Sequence, residues 1–206
     1  MTMDRHFVIT IGRQFGSGGK EIGIKLAEKF GIKCYDKELL ELAAKESGMC
    51  QEMFEMHDEK PTNSFLYSMV MDTYAGIYNP QTMIEMPINQ KVFLAQFDTI
   101  KKIAENESCV IVGRCADYAL EDMDDVFSVF ISADIDKRIE RISKKYDLKP
   151  NKAKDMIIKT DKRRASYYNY YSNKEWGKAS TYNLCIDSGK IGIDKTVDLI
   201  AAYINL

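Results

Sequence analysis

The 206-residue chain has no window of about 18 uninterrupted apolar residues, and Met1 to His6 is polar and leads straight into a strand-like run. Neither a membrane span nor a cleaved signal is expected. Histidine is nearly missing, with His6 and His57 alone, and the five cysteines (Cys34, Cys50, Cys109, Cys115, Cys185) are odd in number, widely spaced and form no CxxC pair. That inventory excludes a structural zinc site, which wants four clustered Cys/His ligands, and fits the buried or free thiols of a reducing cytoplasm. Four prolines and 12 glycines are too few for a collagen or a linker protein. Excess charge of one sign is also lacking: 29 Lys and Arg face 31 Asp and Glu, a net −2 that argues against a globally basic nucleic-acid binder.

What is present is 45% apolar residues in a length suited to one domain, 1–206, with room for lobes. Phe7 to Ile11 is a β-branched run ending in Gly12, and Ile22, Leu26 and Phe30 follow at helical spacing. Gly31 marks the end of that helix, and Ile32 to Tyr35 reads as a second strand closed by Asp36. From 37 to 107 the pattern is helical. Cys109–Val112, Val126–Ile131 and Leu184–Ile186 are three further short apolar runs separated by helices, and Val197, Ile200, Ala201 and Ile204 line one face of a last helix. Continuous apolar strands alternating with helices predict a parallel sheet covered on both faces.

Two segments stand apart. Seven of the eleven methionines lie in 49–86, which suggests adaptable packing. Residues 137–178 hold 14 Lys and Arg against five acids, leaving 15 against 26 elsewhere, so the near-zero net charge conceals a basic segment on an acidic remainder. Tyr167, Tyr168, Tyr170, Tyr171 and Trp176 cluster at its end; packing of a helix against the core is the expectation, above stacking on a base.

Between the first strand and first helix runs Gly12-Arg-Gln-Phe-Gly-Ser-Gly-Gly-Lys-Glu21. Backbone amides and the helix dipole converge there on an anion, and glycines leave no Cβ in the way. Arg13, Gly16, Ser17, Gly18, Gly19, Lys20 and Glu21 are the candidate phosphate-binding residues, with ATP as ligand. The usual pattern is Gly-x4-Gly-Lys-Ser/Thr. Pairing Gly19-Lys20 with its Gly-Lys puts Gln14 at the first glycine and Glu21 at the hydroxyl that holds Mg²⁺; aligning the helix through Leu26-Ala27 puts Gly19 at the lysine. Ser17 is the candidate substitute ligand for Mg²⁺, and Arg13 or Lys20 the source of charge. Asp36 and Asp117 fall at the carboxyl edge of the sheet, where they can hold Mg²⁺ through water or a sugar hydroxyl, Asp36 alternatively capping a helix and Asp117 alternatively being an exposed surface acid.

These stretches, with Tyr35-Asp-Lys-Glu-Leu39, Val112-Gly-Arg-Cys-Ala-Asp-Tyr118 and Asp161-Lys-Arg-Arg164, resemble the cytidylate kinase-like family, a branch of the P-loop nucleoside monophosphate kinases, in order over nearly the whole chain. The resemblance implies a three-layer α/β/α P-loop NTPase fold with a five-stranded parallel sheet in the order 2-3-1-4-5. It further implies a helical acceptor-binding insertion over 37–107 and a basic lid over 137–178. It places Arg114, and Asp161 with Arg164, on the substrate and phosphates; Asp36, Lys37 and Asp117 are the further candidates for the acceptor, and Lys20, Arg163 and Arg164 those for the transferring phosphoryl group. Two positions depart from cytidylate kinases: Cys115 stands where an acid follows the strand-3 arginine, and Leu42 stands near the arginine of the insertion. The implied activity is ATP- and Mg²⁺-dependent phosphorylation of a nucleoside monophosphate-like small molecule, with no nucleic-acid or membrane partner and a cytoplasmic setting. A kinase of another metabolite, such as a sugar or shikimate-like acid, and a non-catalytic nucleotide- or anion-binding module are the alternatives.

Overall fold

A computed structural model describes residues 5–60 and 86–206. Five strands, β1 (Val8–Arg13), β2 (Lys33–Tyr35), β3 (Cys109–Val112), β4 (Val126–Ser132) and β5 (Leu184–Asp187), form one sheet in the order β2-β3-β1-β4-β5. Every pairing is parallel, with Val8 opposite both Cys109 and Val126.

Strand β3 is apolar and buried along its whole length, and β1 and β4 are largely apolar, because both faces are covered. Ile9, Ile11, Val110, Val112, Val129 and Ile131 point into one layer, against α1 (Gly19–Phe30) and the last helix, α9 (Ile193–Ile204), whose buried face is Val197, Ile200, Ala201 and Ile204. Val8, Cys109 and Ile111 point the other way, against α2 (Glu38–Ser47) and α4 (Ile88–Asn106). Side-chain alternation at period two thus supplies two cores from one set of strands. Gly31 ends α1 at φ 67°, and the Ile32 amide closes the turn onto the Ala27 carbonyl at 3.0 Å.

Helix α3 (Gln51–His57) follows α2, and the short α5 (Ala116–Ala119) follows β3. The basic segment folds as α6 (Ile135–Tyr146) and the 23-residue α7 (Pro150–Ser172), which pack together around Ile142, Ala153 and Ile157. At its C-terminal end α7 buries Tyr167, Tyr168 and Tyr171 among Phe93, Phe130 and Tyr182, the Phe93 and Tyr171 rings stacking with centroids 3.9 Å apart. The tyrosines are packing residues, as their spacing suggested. A one-turn helix, α8 (Ser188–Ile191), leads from β5 to α9. Met69, Met71 and Met83 of the methionine-rich stretch lie outside the described residues. Among the described residues no helix is long and apolar enough to cross a membrane.

Candidate active site

The carboxyl ends of β1, β3 and β4 open onto one edge, and the turn from β1 into α1 lies across it. Gly16 and Gly18 take left-handed φ values of 85° and 84°; a Cβ on Gly18 would stand 2.4 Å from Ile193 Cδ1, so the turn admits only glycine there. Gly18 caps α1 with no side chain to offer, and among the described residues no side chain accepts from the amides of Gly19, Lys20 and Glu21 in the first turn. Unsatisfied N–H groups at the positive end of a helix dipole are an anion site.

The opposite edge of the turn is tied down. The Phe15 amide donates to Asp161 Oδ1 of α7 at 2.7 Å, and Asp161 Oδ2 accepts from Arg138 of α6, which also donates to the Phe15 carbonyl at 3.4 Å. Gln14 accepts from the Ala133 amide at 3.1 Å, and Ser188 donates to the Ser17 carbonyl at 2.6 Å. Asp161, expected on the acceptor, is therefore a strut between α7 and the loop. Asp161→Ala strands the Phe15 amide and the Arg138 guanidinium, and should cost about 2 kcal/mol in a urea unfolding titration. An unchanged midpoint would show that the strut bears no load.

Four cations and three carboxylates interlock above the loop. Glu59, 5% exposed, accepts from Arg13 Nη1 at 2.8 Å on one oxygen and from Arg164 Nε at 3.0 Å on the other, and Arg164 also donates to the Arg13 carbonyl at 3.2 Å. Arg114, 4% exposed, donates to both oxygens of Asp58 at 3.1 Å, to Asp36 Oδ1 at 3.4 Å and to the Val112 carbonyl at 3.2 Å. Lys20 reaches Asp36 Oδ2 at 2.7 Å. Burial pushes the Glu59 and Asp36 carboxyls up, but the guanidiniums win: Arg13, Arg164 and Arg114 hold Glu59 far below the carboxylate range, and Arg114 with Lys20 lowers Asp36. Burial and the neighbouring Arg13 lower Arg164, whereas Asp58, Glu59 and Asp36 raise Arg114 against its burial.

A cleft of about 1310 Å³ gathers Arg13, Gly16, Gly18, Gly19, Lys20, Glu21, Asp36, Lys37, Arg114, Arg163 and Arg164. Lys37 and Arg163 are exposed along it. Ser17 faces an adjoining recess of about 250 Å³ beside Arg141, Gly189 and Ile193, and its hydroxyl donates to the Gln14 carbonyl at 2.8 Å. Asp36 is not the cap of α2, a place held by Lys37; it is the acceptor for Lys20 and Arg114. Asp117 is neither an exposed acid nor in the cleft: it accepts from the Tyr168 hydroxyl at 2.5 Å beside a void of about 20 Å³, and burial raises its carboxyl. Sequence reasoning missed Asp58, Glu59 and Arg138. The Asp58-Glu59-Lys60 charge cluster just before Pro61 was the one visible signal for the first two.

Residues 8–190 match the model of the cytidylate kinase-like family. A cytidylate kinase from Methanopyrus kandleri is 24% identical over 207 residues, covering 96% of this chain and 93% of its own length. The crystal structure of an uncharacterized protein from Eubacterium ventriosum superposes with a TM-score of 0.72 at 33% identity, over 97% of this chain and 98% of that one. A shikimate kinase from Bacteroides thetaiotaomicron shares the fold at 15% identity and a TM-score of 0.56, over 97% and 99% of the two chains. With the sheet order, the glycine turn and Arg114 all standing where the motifs put them, and the family match running through nearly all of the sheet, the chain belongs to the cytidylate kinase-like family.

Proposed function

We propose that this protein transfers the γ-phosphoryl group of ATP to a nucleoside monophosphate-like acceptor. The observation that carries the reading is the uncapped first turn of α1 opening onto a cleft lined by Arg13, Lys20, Arg114, Arg163 and Arg164. The donor phosphates would lie on the Gly16–Glu21 turn, and the donor's nucleoside in the recess beside Arg141 and Ile193. Arg114, Asp36 and Lys37 face the acceptor side, and Arg163 and Arg164 the transferring group, whose spread of negative charge needs positioned cations more than covalent help.

The residues fit a triphosphate, and the three expected near Mg²⁺ at the turn, Ser17, Asp36 and Glu21, are each engaged by a protein group. Ser17 donates to Gln14, Asp36 carries Lys20 and Arg114, and Glu21 carries Arg141. Bound on the nucleotide's phosphates, the ion would neutralise their charge, and the chain's own contacts to it would run through water.

The acceptor class follows from basicity. An alcohol acceptor needs a carboxylate free to take its proton, whereas the three carboxylates clustered above the loop are engaged by cations: Asp36 by Lys20 and Arg114, Glu59 by Arg13 and Arg164, and Asp58 by Arg114. A phosphate monoester, with a second pKa of about 6, arrives already ionised and needs no base. A coupled ADP-release screen should give turnover with at least one of CMP, UMP, dCMP, AMP and GMP and none with shikimate. No turnover with any monophosphate at high enzyme, or turnover confined to alcohols, refutes the proposal.

A further inference from the structure

A phosphate loop of the usual pattern carries a lysine at the start of its helix. Aligned through Leu26 and Ala27, this chain has Gly19 there, and Lys20, one step on, is half-exposed and drawn off to Asp36 at 2.7 Å. The space over Gly19 is nevertheless filled. A Cβ built on residue 19 would stand 2.5 Å from Arg13 Cβ and 3.0 Å from Arg13 Cγ, so the stem of Arg13 lies where a side chain at 19 would begin. The guanidinium then runs to the end of β3, where a Cβ on Gly113 would stand 2.1 Å from Arg13 Nη1. Arg13 thus crosses the floor of the loop between two glycines, and a side chain at either one would obstruct it.

We infer that Arg13 is the cation of this phosphate loop, entering from the end of β1 in place of the helix lysine, and that Glu59 is the residue that aims it. The inference rests on the reading of the loop as a donor-phosphate site. Glu59 takes Nη1 of Arg13 and Nε of Arg164 on its two oxygens, holding two mutually repelling guanidiniums side by side. Among the described residues no other acceptor engages the Arg13 guanidinium, and Arg13 lines the cleft. Arg13 is 8% exposed at the edge of the cleft, and its remaining N–H donors would meet phosphate oxygens two at a time.

Calorimetric titration of the full chain with inorganic triphosphate and with a non-hydrolysable ATP analogue tests this. Arg13→Gly should weaken both by about tenfold or more, as loss of a charge-assisted contact does, and Lys20→Met by less than about threefold. Moving the charge back is the sharper probe. The double variant Arg13→Gly with Gly19→Lys should recover most of the lost affinity, whereas Gly19→Lys alone, with Arg13 still in the space, should lower the melting temperature. Recovery would not follow if Arg13 merely packed, and the double variant also serves if Arg13→Gly folds poorly. Wild-type affinity in Arg13→Gly together with lost affinity in Lys20→Met would overturn the assignment and leave the donor site standing. A wild-type chain that binds neither probe would overturn both.

Discussion

Replacing Arg114 with methionine should destabilise the protein by about 3–5 kcal/mol, because it removes one partner of a buried ion cluster and strands the others. Methionine keeps much of the stem volume, so the loss reports the guanidinium. Asp58, bound through both oxygens, and Asp36 both lose a cation that is itself only 4% exposed. Asp58 is about a quarter exposed, which favours the lower end of that range, and Lys20 still holds Asp36. For a chain of this length the melting temperature should fall by roughly 6–12 °C. Adding Asp58→Asn to the methionine variant should restore part of the loss, since removing both partners costs less than removing one. A methionine variant as stable as the wild type would mean that the arginine contributes nothing net to the fold. If it remains folded, its turnover should show a raised acceptor KM with a smaller change in kcat.

Acid should unfold this protein through Glu59. Its carboxyl titrates in the folded chain far below its ordinary value of 4.5, so the stabilisation it contributes is complete above that pH and is lost as pH falls below it. Asp36, lowered from 3.8, acts in the same direction; Asp117, raised by burial from the same value, opposes them by taking up its proton more readily in the folded state. Glu59→Gln should therefore cost about 3 kcal/mol or more at pH 7, where two guanidiniums lose their counter-charge, and the penalty should shrink toward pH 3. Urea midpoints for both chains from pH 7 to pH 3 decide the point. Curves that stay parallel would show that Glu59 is not the group whose protonation governs the acid limb.

The sheet was legible because its central strands are covered on both faces: Cys109–Val112 is a continuous apolar run, and Val126 to Ile131 is broken only by Ser128, a pattern that no amphipathic element would show. Gly31 announced the end of α1 for an equally local reason, the left-handed cap. Gly16, Gly18 and Arg114 sit inside short motifs whose chemistry is written in consecutive residues. Glu59 was not legible. Its partners lie 46 and 105 residues away, and nothing local distinguishes an acid at a helix end that will be sealed between arginines from one that stays in water. The contact of Asp161 with the loop was illegible for a related reason, since its neighbours in sequence are solvated cations and its amide partner is Phe15, 146 residues upstream. Lys20 shows the converse: the motif promised a phosphate ligand, and Asp36, from the next strand, draws the ammonium away.

Helix α7 deserves a mechanical description. After Pro150 it contains neither glycine nor proline, the usual sites of a kink, and at about 1.5 Å per residue its 23 residues make a beam roughly 34 Å long. The tyrosine end is clamped in an aromatic vice, Asp161 is pinned to the loop near mid-span, and the other end, packed on α6 through Ala153 and Ile157, carries the exposed Lys152, Lys154 and Lys159. Such a beam has no joint of its own. If the lysine end swings toward a ligand, α6 moves with it and the pin at Asp161 carries the Phe15 amide along, so reach at the tip and the set of the glycine turn are gears on one shaft.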